Sequence, residues 1–412
     1  MAEEIIELTY DPLALPTAQH RAGLAGLLVL LESLRRRKVK ILPVVSWSSD
    51  GKVMLHLTKK NLQMLFDDLY DATVEEQSRD KKLTKGKGAN KQVIPPKREE
   101  KVKDKTTGKD KTIYIYDQVI PRAAFLAVFQ TPNIWLKLWR NAIWGTLRGG
   151  SPQTRRPYEQ RARKEVLNEV DKVWKDLHTF YQKQAKSQLH CSDIASSVFI
   201  GAQAANAERV PFRGKADEVF LLHFWPVVMG VYVPQVMDRK GGSKFTGSYV
   251  LVVPDVSDLE GFVKDFPDTT AQLKPELAGY RPREAAISLP QEGGLEYLHQ
   301  LSRFAKAKAE RGELAYSIAG VEVYHLEKQG NNIRMLGADR VSMTPRLLEQ
   351  YETIRGCYRD PLFKRQRIFN LLRGEPWYLG FDQLFSLNNS ERFIGSQANW
   401  FSSDSRKGFE VE

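Results

Sequence analysis

Apolar and polar positions change period several times along this chain, and each change marks an element. After Pro16-Thr17 the run HRAGLAGLLVLLESLRRR is apolar on nearly every side and ends in arginines. That pattern predicts a buried helix with cations at its C-terminal dipole. VKILPVVSW and KVMLHLT follow, joined by Ser48-Ser49-Asp50-Gly51, and predict a hairpin. A helix is expected over residues 60–77. From Ser78 to Thr112 apolar positions almost vanish, which predicts a mobile loop. TIYIYDQVI restores the strand period. Arg122 to Leu147 reads as helical with a break at Pro132, and Tyr158 to Leu189 as one long amphipathic helix. Gly-Gly, Ser-Pro and Arg-Pro punctuate LRGGSPQTRRP between them as a loop.

A second region opens near Asp217. EVFLLHFWPVVMGVYVPQV and GSYVLVVPDV are long β-type runs about a turn from Asp238 to Gly247. A short helix at 258–265, a strand near 285–289 and a helix over 293–312 come next. LAYSIAGVEVYHLE and NIRMLGADRV then predict two strands turning on Gln329-Gly330-Asn331-Asn332. From Thr344 onward the pattern is helical. The expectation is an α+β protein: a mixed, largely helical region over 1–215, an antiparallel, ferredoxin-like sheet domain over 216–342, and a helical region over 343–412. No repeat of fixed period is present.

Length and composition narrow the class. The 412 residues are 42% hydrophobic, enough for a real core and more than one domain. Two cysteines, Cys191 and Cys357, exclude a disulfide framework or a cysteine-rich zinc module. The longest apolar run, around Leu24 to Leu31, is far short of a membrane span. A soluble, cytoplasmic protein without a membrane partner is expected. The net charge of +12, from 62 Lys+Arg against 50 Asp+Glu, points to an anionic partner. It is unevenly spread. Residues 78–112 hold 13 Lys/Arg and 5 Asp/Glu, and residues 135–164 hold 8 Lys/Arg and one acid, Glu159. These two segments carry +15, which leaves −3 for the rest.

Catalytic signatures are missing. The sequence has no Gly-x-x-x-x-Gly-Lys-Ser/Thr, no Gly-x-Gly-x-x-Gly after a strand, no His-Glu-x-x-His and no Gly-x-Ser-x-Gly. His190-Cys191-Ser192-Asp193 is the tightest polar cluster, and its simplest reading is a helix N-cap. Asp67-Asp68 and Glu75-Glu76 are carboxylate pairs, but adjacent helical positions face different ways. No enzyme, metal or cofactor is expected.

The segment from Trp135 to Arg163 carries the strongest candidate chemistry. Trp135 and Trp139 share a helical face and Trp144 follows, as core or as a stacking platform. Arg140, Arg148, Arg155, Arg156 and Arg161 interleave with them, and guanidinium forks grip phosphate bidentately. Gly149 and Gly150 let backbone N–H groups approach a phosphate, while Asn141, Gln153 and Thr154 can reach a sugar or base edge. A second candidate is the glycine-rich tip from Lys240 to Lys244, shaped to enter a groove or to be a plain surface hairpin. The lysine-rich stretch 78–112 is either a salt-sensitive strand trap or a solubilising linker.

LPTAQHRAGLAGLL, WLKLWRNAIWGTLRGGSPQTRRPYEQRA and YVLVVPDVSDLEGFVKDF resemble the large subunit of type I CRISPR surveillance complexes, in particular the Myxan-type branch of subtype I-B. The resemblance runs along most of residues 10–340. It implies a non-enzymatic part of a ribonucleoprotein that recognises the target-adjacent motif, helps open the duplex into an R-loop, and recruits an effector nuclease or a transposition adaptor. Its partners would be guide RNA, target DNA, and the handle-binding, backbone and small subunits. Loop 149–156 and the tip 240–244 match by type the glycine-containing, motif-reading loops of that family. The two other classes carried forward are a metal-dependent nuclease and a generic RNA-binding scaffold.

Overall fold

The computed structural model describes residues 4–85, 92–103, 108, 110–129, 134–147, 152–195, 197–202, 210–237, 243–309, 318–330, 332–387, 393 and 399–411. It opens with strand β1 (Ile5–Tyr10) and helix α1 (Ala18–Arg36). Thr17 caps α1 by accepting from the His20 backbone N–H, and Arg35 and Arg36 occupy its last turn. β2 (Val44–Trp47) and β3 (Val53–Thr58) form the expected hairpin, and β1 pairs on the far side of β3. α2 (Lys59–Leu69) starts on a capping box between Thr58 and Asn61.

The helix expected over 60–77 stops at Leu69, because β4 (Ala72–Arg79) begins there. The stretch expected to be a loop over 78–112 is, where described, mostly strand. β5 (Thr84–Lys85) pairs with β6 (Gln92–Val93), and β7 (Arg98–Lys103), β8 (Asp110–Pro121) and β4 form a three-stranded antiparallel arm in the order β4-β8-β7. The missing ingredient was the partner strand. β8 supplies backbone hydrogen bonds and apolar cover to neighbours with little of their own. Opposite charges meet on the arm: Arg98 pairs with Glu76 and Glu100, Lys97 with Glu76 and Asp117, Lys82 with Glu99, and Arg122 with Glu75.

After a 3₁₀ turn (Ala124–Val128), α3 (Ile134–Ala142) runs into a π-helical turn (Ile143–Leu147). α4 (Pro152–Ala162) and α5 (Asn168–Gln184) replace the single helix expected over 158–189. The chain breaks at Lys164, whose φ of 61° no helix accommodates. Helix also begins earlier than expected: Pro152 can open α4, since a first-turn proline gives up only an N–H that would lack a helical partner. The His190–Asp193 cluster is not a cap. β9 (Cys191–Asp193) pairs with β10 (Arg213–Lys215).

The run from Glu218 is only half β. α6 (Ala216–Leu221) and a 3₁₀ turn (Trp225–Val227) precede β11 (Gly230–Met237). β12 (Ser243–Phe245) and β13 (Tyr249–Val256) follow, then α7 (Leu259–Ala271), the short pair β14 (Leu277–Ala278) and β15 (Arg281–Pro282), β16 (Ala286–Ile287) and α8 (Pro290–Ala309). β17 (Ile318–Gln329) and β18 (Asn332–Ser342) close the main sheet, ordered β12-β11-β13-β17-β18, with β16 parallel to β11. The sheet is antiparallel as expected. Its order is not the ferredoxin-like one, however: β12 and β13 both pair with β11, α7 and α8 are inserted between β13 and β17, and β13 pairs antiparallel to β17.

Both faces of this sheet are covered. A Cβ on Gly294 of α8 would sit about 3 Å from Val321, Val323 and Val341, which marks one face. α1 lies on the other, where Gln19 donates to the Tyr324 hydroxyl at 3.2 Å and Arg21 meets Asp255 at 2.5 Å. Glycine lets α1 come close to α6 and the turn after it. A Cβ on Gly23 or Gly26 would fall 2.3 or 2.1 Å from the carbonyl oxygens of Leu221 and Phe224. α9 (Pro345–Cys357), α10 (Pro361–Arg373), α11 (Phe381–Leu387) and α12 (Asn399–Val411) complete the fold.

Candidate nucleic-acid interface

The tryptophans of α3 belong to the core. Trp135 Nε1 donates to the Lys274 carbonyl at 2.8 Å and Trp139 Nε1 to the Pro226 carbonyl at 3.0 Å. Both rings are buried, so neither offers a face to a base. Trp144 differs. Placed by the π-turn, it is half-buried, with the Arg140 guanidinium 5.4 Å from its ring and Tyr158 at its edge. Arg140 is itself only 5% exposed; burial, then the nearby Arg79, lowers its pKa. It therefore braces Trp144 rather than presenting a fork to solvent.

α4 packs on the arm and sorts the remaining candidates. Pro157 and Tyr158 point inward, while Arg155 and Arg156 are exposed and form no ion pair with another described residue. Arg161, on the inner side, is spent on Asp67 at 3.2 Å. Asn141 is exposed at the end of α3. Gln153 and Thr154 fall in the first turn of α4, not in a loop. Arg148, Gly149, Gly150 and Lys240 lie outside the described residues, and Lys244 is exposed on β12. The structure thus brings Arg155 to the cleft that Trp144 borders, leaves Arg156 exposed on α4, and separates both from the buried Arg140 and the paired Arg161.

Sequence reasoning missed the facing wall. Gln77 and Arg79 of β4 and Tyr116 and Gln118 of β8 border the same cleft as Trp144 and Arg155. The period-two run around Tyr116 was the available signal; Arg79 was hidden in a stretch read as loop.

The carboxylate pairs are structural. Asp68 accepts from Arg37 and from the Ala124 backbone N–H, and Asp67 holds Arg161. No group of three or more His, Cys, Asp or Glu side chains is disposed to hold a metal ion among the described residues. No helix there is long and apolar enough to cross a membrane.

Comparison with known proteins assigns the chain along nearly its whole length. Residues 42–311 match the family described as Type I-B CRISPR Cas8b N-terminal domain, and residues 318–412 match the Type I-B CRISPR Cas8b C-terminal domain. No curated protein matches the chain. The boundary between the two matches falls just before β17, inside the main sheet. With both halves matched in order, the chain belongs to the type I-B CRISPR Cas8b family, the large subunit of the Cascade surveillance complex.

Proposed function

We propose that this chain is the non-catalytic, nucleic-acid-binding large subunit of its complex, reading the duplex beside the target, aiding R-loop formation and recruiting an effector nuclease or transposition adaptor. Membership of the family makes other Cascade subunits its partners. Guide RNA and target DNA are the anionic ligands that the proposal adds. The observation carrying it is the state of the arginines. Many described cations of the arm are neutralised by carboxylates across its strands, whereas Arg155 and Arg156 stand exposed on α4 and pair with no carboxylate among the described residues. Unpaired guanidiniums repel one another until an anion joins them, and phosphate suits their geometry. In this reading residues 1–215 carry the grip, 216–342 the sheet that supports it, and 343–412 a helical face toward neighbouring subunits.

The test is the affinity of the assembled, guide-loaded complex for matched duplex. Charge reversal at Arg155 and Arg156 is expected to weaken binding at least tenfold and to lower the dependence on salt by about two counterions. The circular dichroism of the chain should stay unchanged. Wild-type affinity in the reversed complex would refute the proposal.

A further inference from the structure

An open cleft of about 330 Å³ lies between the arm and α4. Its volume lies in the range of sites that enclose small ligands, about 300–1,000 Å³. Two rings border it, both held in place: Tyr116, which is buried in the wall, and Trp144, which is half-buried and faces the cleft. The Tyr116 hydroxyl accepts from the Leu83 N–H at 2.9 Å and donates to the Ile94 carbonyl at 3.1 Å. Trp144 is fixed by Arg140 on one side and Tyr158 on another. Arg79 and Arg155, both exposed, stand at the border and pair with no described carboxylate. Of the two acids present, Asp117 is engaged by Lys97 at 3.1 Å, which leaves Glu159 as an acceptor.

A fixed indole ring beside guanidiniums and a hydrogen-bond acceptor matches one ligand chemistry in particular. A nucleotide has a flat π-face, polar base edges and a phosphate; a stacked duplex hides the first of these. We infer that this cleft holds one unpaired nucleotide, its base against Trp144 and its phosphate at Arg79 and Arg155. The inference rests on the reading above that the chain works on nucleic acid, and it adds a single-strand site to a surface proposed for duplex. Guide RNA and displaced DNA share this chemistry, so the experiment carries an arm for each.

The purified full chain would be mixed with DNA and RNA oligonucleotides of the same sequence, about 12 nucleotides long. Each would carry a photoreactive thio-substituted base, and adducts would be mapped by mass spectrometry. Adducts at Trp144 are expected, with DNA alone if the displaced strand is the source and with RNA alone if the guide is. Arg79→Glu should weaken single-strand binding about tenfold and reduce the salt slope by about 0.7, the value for one phosphate on a single strand. Because Trp144→Leu risks the local fold, Arg79→Glu is the deciding variant. Adducts confined to other residues, or full affinity in Arg79→Glu, would overturn the site. If the cleft fails while the complex still binds matched duplex, the broader reading survives. If the wild-type complex binds no nucleic acid, both fall.

Discussion

Gly26 and His20 show how closely single positions on α1 are fitted. At Gly26 the space for a side chain is occupied by a backbone carbonyl, which cannot swing away as a flexible side chain would. Gly26→Ala should therefore cost about 3 kcal/mol or abolish folding, by denaturant titration. Gly356→Ala on α9 is the control. Nothing lies within 4 Å of its added methyl, so the change should be neutral or stabilise by up to about 1 kcal/mol. His20 is buried, and that burial, partly opposed by Glu218 and reinforced by Arg21, lowers its pKa to about 4. A histidine with a depressed pKa binds fewer protons folded than unfolded, so stability falls as pH drops from 6.5 toward 4. The loss should reach about 3 kcal/mol at the acid end. His20→Gln should flatten that part of the pH–stability curve; an unchanged slope would show that the ring is not kept neutral.

Between elements, buried ionic contacts fix where the helical C-terminal region sits. Glu296 on α8 accepts from Arg355 Nε at 2.6 Å and from the Tyr351 hydroxyl at 2.7 Å, both on α9. Glu292, one turn earlier and fully buried, meets Lys364 of α10 at 2.7 Å. Burial pushes the Glu296 pKa up, and Arg355 is the main opposing influence. Arg355→Met should cost about 3 kcal/mol at pH 7, since it leaves a buried carboxylate unpaired. The penalty should shrink as pH falls, because burial raises the pKa of that carboxylate and favours its uptake of a proton. Hydrogen exchange in α9 and α10 should quicken in the variant; no change there would mean that apolar packing alone seats the helices. Elements such as these were legible in the sequence wherever a segment carries its own period, as in β13, β18 and the helices after Thr344. The arm was not, because Arg98 and Glu76 sit more than twenty residues apart and their pairing exists only once β8 lies between their strands. The break at Lys164 escaped notice for a related reason: a lysine with positive φ leaves no mark in a hydrophobic pattern.

At the scale of the whole molecule, the basic residues include described arm cations held in ion pairs, such as Lys82, Lys97 and Arg98, and an exposed pair on α4, Arg155 and Arg156. The candidate site was half legible. Arg155, Arg156 and Trp144 stood out as an arginine–tryptophan segment poor in acids, but the burial of Arg140 and the facing wall from β4 and β8 depend on tertiary packing. Five arginines of that segment were candidates on sequence; packing sets two of them apart, Arg140 by burial and Arg161 by Asp67. The central claim is that α4 grips nucleic acid in the assembled complex. Hydrogen exchange of the guide-loaded complex, with and without matched duplex, tests it most directly. The account predicts slower exchange across 152–162 on adding duplex, and none of that slowing when Arg155 and Arg156 are reversed. Duplex bound at full affinity with exchange in α4 unaltered would contradict it.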